Sequence, residues 1–164
     1  MATPVRLREI PIMNHPNPPF RFLVSACLCG FFCRYDGKAN TVLELARLYA
    51  RGLVLPVCPE EAGGLPTPRE PCERLGHRVV SRTGQDMTTA FAAGATHTLA
   101  LARQYGLHIA ILKESSPSCG ITTIYDGTFT GTKILGMGLT ASLLHENGLQ
   151  LYSEKNIPPD LLKP

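Results

Sequence analysis

The sequence predicts a single α/β domain built on a doubly wound, mostly parallel sheet of four or five strands, in the order 2-1-3-4, with helices on both faces. Three observations predict it. Short apolar runs alternate with segments of helical periodicity. The helical segments end on Gly52, Gly106 and Gly148. The strand candidates are continuously apolar, as strands covered on both faces must be. At 164 residues the chain suits one core.

The elements follow in order. RFLVSA, Arg21 to Ala26, is strand 1. TVLELARLYARG carries Val42, Leu45, Ala46 and Tyr49 at helical spacing. LVLPVC, Leu53 to Cys58, is strand 2. Residues 63–82, rich in Gly, Pro and Arg, read as a long irregular loop. Asp86 then N-caps a helix running to Gly106, with Phe91, Ala95, Leu99 and Ala102 on one face. LHIAILKE, Leu107 to Glu114, is strand 3. A glycine-rich stretch leads to a helix over Leu135 to Asn147, and LQLYSE, Leu149 to Glu154, is strand 4. The domain is expected over 21–155, flanked by an extended arm over 1–20 and a tail over 156–164.

Composition narrows the function classes. Apolar residues are 44% and charged residues 18%, which is enough to bury a core. The net charge of +3 is small and scattered and gives no strong nucleic-acid signal. No apolar run is long enough to span a bilayer. The N-terminus lacks a secretory pattern, so a cytoplasmic, reducing location is expected. Six cysteines there point to thiols, ligands or catalysts rather than disulfides.

The strand order gives three of these cysteines a common destination. Cys27 sits just past strand 1, Cys58 ends strand 2 and Cys119 follows strand 3. In order 2-1-3-4 these ends are neighbours, at the crevice where such sheets bind ligands. A lone cysteine is usually core filler; three at equivalent positions point to a metal site. Cys33 is a spare candidate for a fourth ligand. Cys29 reads as packing or exposed, and Cys72 as an ordinary thiol. Thiolates suit zinc or an iron–sulfur cluster. The C-x-x-C pairing usual for zinc is missing. Three separated thiolates can instead hold three irons of a cubane and leave the fourth open.

Other groups gather at the same end. Glu60 or Glu61, beside Cys58, could act as a general base or be a solvated loop carboxylate. Arg69, on a loop stiffened by Pro68, suits an anionic or carbonyl-bearing ligand, or is a surface arginine. Ser115, Ser116 and Ser118 could orient a substrate or simply make a turn around Pro117. Arg34, in Arg34-Tyr35-Asp36-Gly37, belongs first to a turn and second to a ligand.

Several of these stretches resemble the signature of one family. They are Ser25-Ala26-Cys27-Leu28-Cys29-Gly30, Cys33-Arg34-Tyr35-Asp36-Gly37, Val57-Cys58-Pro59-Glu60 and Gly63-Gly64-Leu65-Pro66-Thr67-Pro68-Arg69. Phe91-x-x-Gly94-Ala95, Lys113-Glu114-x-Ser116-Pro117-Ser118-Cys119-Gly120, Ile124 to Phe129 and Gly136-x-Gly138 complete the set. The family is a domain of unknown function that includes the bacterial thiouracil desulfidases, and the resemblance runs from about Phe22 to Glu154.

That resemblance implies a 4Fe-4S cluster on Cys27, Cys58 and Cys119, with Glu60 as acid–base residue and Ser116 assisting. It implies non-redox desulfuration of a thiolated pyrimidine: the open iron binds the substrate sulfur and activated water attacks the ring carbon, giving the oxo base and hydrosulfide. Ser118, Arg69 and Arg34 are the expected substrate contacts. The expected partner is a small thiolated nucleobase, the protein being a monomer or homodimer. A sulfur carrier or transferase, and a non-catalytic metal-binding sensor module, are the rival readings. Cys29 stands where an apolar residue is expected.

Overall fold

The computed structural model describes residues 19–164; the expected arm over 1–20 lies almost wholly outside the described residues. The core is a four-stranded sheet ordered β2-β1-β5-β8. Its strands are β1 (Phe22–Ser25), β2 (Val54–Val57), β5 (Ile109–Leu112) and β8 (Gln150–Ser153). All three pairings are parallel, with Leu23 opposite both Leu55 and Ala110. This is the order read from the sequence.

β1 is buried along its whole length. Successive side chains point to opposite faces, so its apolar run feeds two layers. Phe22 and Val24 pack with Ile111 and with Leu45 and Leu48 of α1 (Leu43–Ala50). Leu23 joins Ala110 and Leu112 on the other face. There it meets Leu99 and Ala102 of α3 (Thr88–Gln104) and Ala141 and Leu144 of α4 (Leu139–Glu146). Gly106 and Gly148 follow α3 and α4 with φ of 62° and 85°, the left-handed stop that a residue with a Cβ resists. Asp86 Oδ1 accepts the Thr88 N–H at 2.9 Å at the start of α3. Among the described residues no helix is long and apolar enough to cross a membrane.

Three stretches differ from their sequence reading. The expected loop over 63–82 contains an antiparallel hairpin, β3 (Cys72–Leu75) with β4 (Arg78–Ser81). The glycine-rich stretch contains another, β6 (Thr123–Tyr125) with β7 (Lys133–Leu135). The last helix accordingly starts at Leu139, not Leu135, because Lys133–Leu135 is paired as strand and exposed throughout. The hairpin strands mix charged or polar residues with apolar ones and lack the continuous apolar run that marks the strands of the main sheet. Glu73 links the hairpins: its buried Oε1 accepts the N–H groups of Gly127 at 3.1 Å and Phe129 at 3.0 Å. Over 156–164 the chain forms a 3₁₀ turn (Pro159–Leu162), and Leu161 and Leu162 pack against the α1 layer.

A one-turn helix, α2 (Pro59–Ala62), follows β2 directly, with Pro59 at its first position, where no N–H is needed. It lies on α3 at backbone distance. A Cβ on Gly94 would fall 1.9 Å from the Pro59 carbonyl oxygen, and one on Gly63 would fall 2.1 Å from that of Ala90. Neither can be relieved by a rotamer change, since both obstacles are backbone. Gly94→Ala is therefore expected to cost about 1–3 kcal/mol and to displace α2. A lower denaturant midpoint than wild type is the expected result; an unchanged midpoint would mean that the two helices separate freely.

Candidate active site

The ends of β2, β1 and β5 present their loops side by side. Cys27 lies in the 3₁₀ turn Ala26–Cys29 that continues β1. Cys58 is the residue between β2 and α2. Cys119 lies in the loop after β5. All three are buried, and Cys119 lies within electrostatic reach of Cys27, Cys58 and Glu60. Cys33 is drawn in as well: its carbonyl accepts from Cys58 Sγ at 3.8 Å, and its thiol lies against those of Cys27 and Cys58.

These contacts set the thiols apart chemically. The Cys33 thiol, aided by Asn40 and Lys113, holds Cys27 below the usual thiol range despite burial. Cys33 itself is pushed far up by Cys27 and Cys58 beside it and by burial. Burial also pushes Cys119 up, against the Ser25 hydroxyl. Cys29 faces away, its Sγ donating to the Leu45 carbonyl at 3.8 Å, and burial raises it to about 12. Cys72, half-buried on β3, is raised to about 11.

Glu60 sits on α2, two residues after Cys58. Burial raises its carboxyl above the usual range, and Arg69 partly offsets the rise. Arg69 Nε donates to Glu60 Oε1 at 3.1 Å, with the guanidinium only 6% exposed. Glu61 instead accepts from the Thr67 hydroxyl at 2.6 Å. Ser116 Oγ accepts the N–H groups of Ser118 at 3.1 Å and Cys119 at 3.0 Å, which folds the loop around the cysteine. The Ser118 hydroxyl is fully buried against Thr140 at 2.8 Å. Arg34 binds Asn40 Oδ1 at 2.7 Å and Asp36 Oδ2 at 2.9 Å, closing the turn after Cys33. Ser118, Arg69 and Arg34, the expected substrate contacts, thus direct these polar groups to partners within the protein.

A groove of about 420 Å³ lies elsewhere, between α1 and the C-terminal turn, lined by Glu44, Arg47, Leu48 and Leu162. A second, of about 180 Å³, shares Arg69 with the site and is lined also by Pro66, Cys72 and Met87. Neither is lined by Cys27, Cys58 or Cys119.

Residues 22–156 match the 2-thiouracil desulfurase family. The chain belongs to that family. It is 41% identical over 145 residues to YbbK of Bacillus subtilis strain 168, described as an uncharacterized protein; the match covers 82% of this chain and 96% of YbbK. A solved structure, the [4Fe-4S]-dependent thiouracil desulfidase TudS, superposes with a TM-score of 0.81 at 46% identity, covering 85% of this chain and 93% of TudS.

One residue of this desulfurase-family stretch stands in the signature but had no role readable from the sequence. Glu114, at the end of β5, is buried, and its Oε1 accepts four backbone N–H groups at 3.0–3.1 Å, from Ser115, Ile121, Thr122 and Thr123. Ser115 takes a φ of 64° as the chain turns over it. Burial alone would raise the Glu114 pKa; the four donors outweigh it and hold the carboxyl below its usual range. A single acidic residue after an apolar strand has no period to betray this role. Lys113 Nζ meanwhile reaches Glu154 Oε1 at 2.6 Å, tying β5 to β8 beside Cys27.

Glu114→Gln should destabilise the cluster-free protein by about 1.5–3 kcal/mol at neutral pH, the usual worth of hydrogen bonds to a charged group. A carboxyl depressed in the folded state stabilises above its unfolded pKa and loses that contribution as pH falls through the folded value. The gap between wild type and Glu114→Gln in urea melts should therefore shrink below about pH 4.5. A gap constant down to pH 3 would show that the charge is not what the loop uses.

Proposed function

We propose that this chain removes sulfur from a thiolated pyrimidine of the thiouracil type by hydrolysis, releasing the oxo base and hydrosulfide. The observation that carries the reading is the meeting of three buried thiols, Cys27, Cys58 and Cys119, with a half-buried carboxylate, Glu60, at adjacent strand ends. Family membership and the description of the similar TudS as [4Fe-4S]-dependent support it.

The donor set fits such a cluster. It is all sulfur, the choice of zinc and iron–sulfur groups over hard ions. Among the described residues no three His, Cys, Asp or Glu side chains are gathered for one metal ion. The paired C-x-x-C spacing usual for structural zinc is missing from the sequence. Cys27, Cys58 and Cys119 would hold the cluster. Cys33, whose thiol its neighbours and burial push up, would donate hydrogen bonds to the ligand sulfurs instead of joining them. When bound, a cluster held by three thiolates supplies an open iron that serves as a Lewis acid toward the thiobase sulfur.

The chain's own groups do the rest. Glu60 takes a proton from a water whose oxygen attacks the ring carbon bearing the sulfur. A carboxyl raised above the usual range is a stronger base and nearer the working pH. The C–S bond then breaks, sulfur departs with its electron pair as hydrosulfide, and the base keeps the new oxygen. No electron is transferred overall. Ser116, whose oxygen already accepts two N–H groups, keeps its hydroxyl hydrogen for the substrate. Burial excludes bulk water, and a reducing cytoplasm keeps free thiols free.

Two sets of variants test the assignment in anaerobically purified protein. Cys27→Ser, Cys58→Ser and Cys119→Ser should each lose iron, the visible chromophore and turnover of thiouracil, whereas Cys29→Ser, Cys33→Ser and Cys72→Ser keep their iron. Full iron in any of the first three overturns the ligand set. Glu60→Gln should keep the cluster and slow turnover by about a hundred- to ten-thousand-fold, with Glu61→Gln near wild type. Near-normal turnover in Glu60→Gln removes it as the base.

A further inference from the structure

Arg69 stands on the loop after α2, yet it reaches two parts of the site at once. Its Nε donates to Glu60 Oε1 at 3.1 Å and its Nη2 donates to the Cys33 carbonyl at 2.8 Å. Nη1 donates to the Pro66 carbonyl at 3.1 Å and to Thr67 Oγ1 at 2.8 Å. The Arg69 N–H also bonds the Tyr35 carbonyl at 2.8 Å, so backbone and side chain both tie this loop to the turn that carries Cys33. Four of the five guanidinium N–H donors are thus directed to this protein's own oxygens, in a side chain 6% exposed.

The contact with Glu60 has a particular form. An arginine opposite a carboxylate commonly pairs through two parallel bonds that occupy both oxygens. Here only Oε1 is held. Among the described residues Oε2 receives no hydrogen bond, which leaves one oxygen anchored and the other open to a water. The Cys33 carbonyl that fixes the far end of the guanidinium also accepts from Cys58 Sγ at 3.8 Å. A single planar group therefore sets the carboxylate relative to the thiols.

We propose that Arg69 is a positioning residue of the reaction: it fixes Glu60 by one oxygen, presents the other to the attacking water, and takes its own bearing from the Cys33 turn. The proposal rests on Glu60 being the base. It assigns Arg69 no direct grip on the thiobase, so its loss should lower kcat and leave KM nearly alone. A lysine preserves the charge but cannot span Glu60, Cys33 and Pro66 together.

A double-mutant cycle on the cluster-loaded protein tests this, using Glu60→Gln, Arg69→Met and both together, with thiouracil as substrate. Arg69→Met should keep its iron, lower kcat at least about tenfold and change KM by less than about threefold. The double variant should be no more than about threefold slower than Glu60→Gln, because nothing remains for Arg69 to position. Arg69→Lys should recover little of the lost kcat. In the cluster-free protein, hydrogen exchange should quicken at amides 34–38 in Arg69→Met but not in Glu60→Gln. A KM raised more than tenfold with kcat kept would make Arg69 a substrate ligand and overturn the proposal, as would independent, multiplying losses in the double variant. Near-normal turnover in Glu60→Gln alone would instead sink the reading of Glu60 as base. If Arg69→Met does not fold, the cycle with Arg69→Lys asks the same question.

Discussion

β1 has four consecutive buried residues, and neither of its faces can be left to water. Phe22 and Val24 need α1 on one side; Leu23 needs α3 and α4 on the other. A strand with two apolar faces must run at the centre of a covered sheet, with a parallel partner along each edge. β2 and β5 take those edges. Once they do, the loops that leave the three strands emerge side by side, and the thiols they carry have nowhere else to go. The chemistry of the site is thus downstream of hydrophobic burial.

Adjacency alone does not shape a pocket, because loops leaving a sheet have no ladder to hold them. Each loop here has a polar clamp of its own. Arg34 closes the turn of Cys33 on Asp36 and Asn40. Arg69 braces α2 and its carboxylate. Glu114 gathers four N–H groups under the loop of Cys119, while Ser116 caps its turn. Buried hydrogen bonds are worth most where water cannot compete for the same groups, and these clamps lie at the edge of the core. The ligand-bearing loops are consequently shaped by protein groups alone.

The strand order, and with it the placing of Cys27, Cys58 and Cys119 at neighbouring strand ends, was legible because it rests on long signals: apolar runs, helical periods and topology. The two hairpins were not, since their strands mix charged and polar residues with apolar ones, and in Lys133–Leu135 all three residues are exposed. The roles of polar residues were legible only in part. Arg69 and Ser116 were visible as site residues, but the direction in which a side chain spends its donors depends on tertiary neighbours. For Arg69 these are a carbonyl 36 positions away and a carboxylate on another element. The role of Glu114, named only as part of the signature, was unreadable for the same reason, its partners being backbone groups that any sequence supplies.

Glu73 bears on how this fold can vary. The two hairpins lie outside the main sheet and are joined to each other through one carboxylate oxygen that accepts from Gly127 and Phe129. Gly127 and Phe129 lie in the turn between β6 and β7, so an insertion there would disturb the junction, whereas the turn at Gly76–His77 between β3 and β4 lies beyond Glu73. Descendants of such a chain can therefore vary the 76–77 turn more freely than the turn over 126–132. The junction itself has far less latitude, because a shorter or neutral side chain in place of Glu73 would release two backbone groups at once.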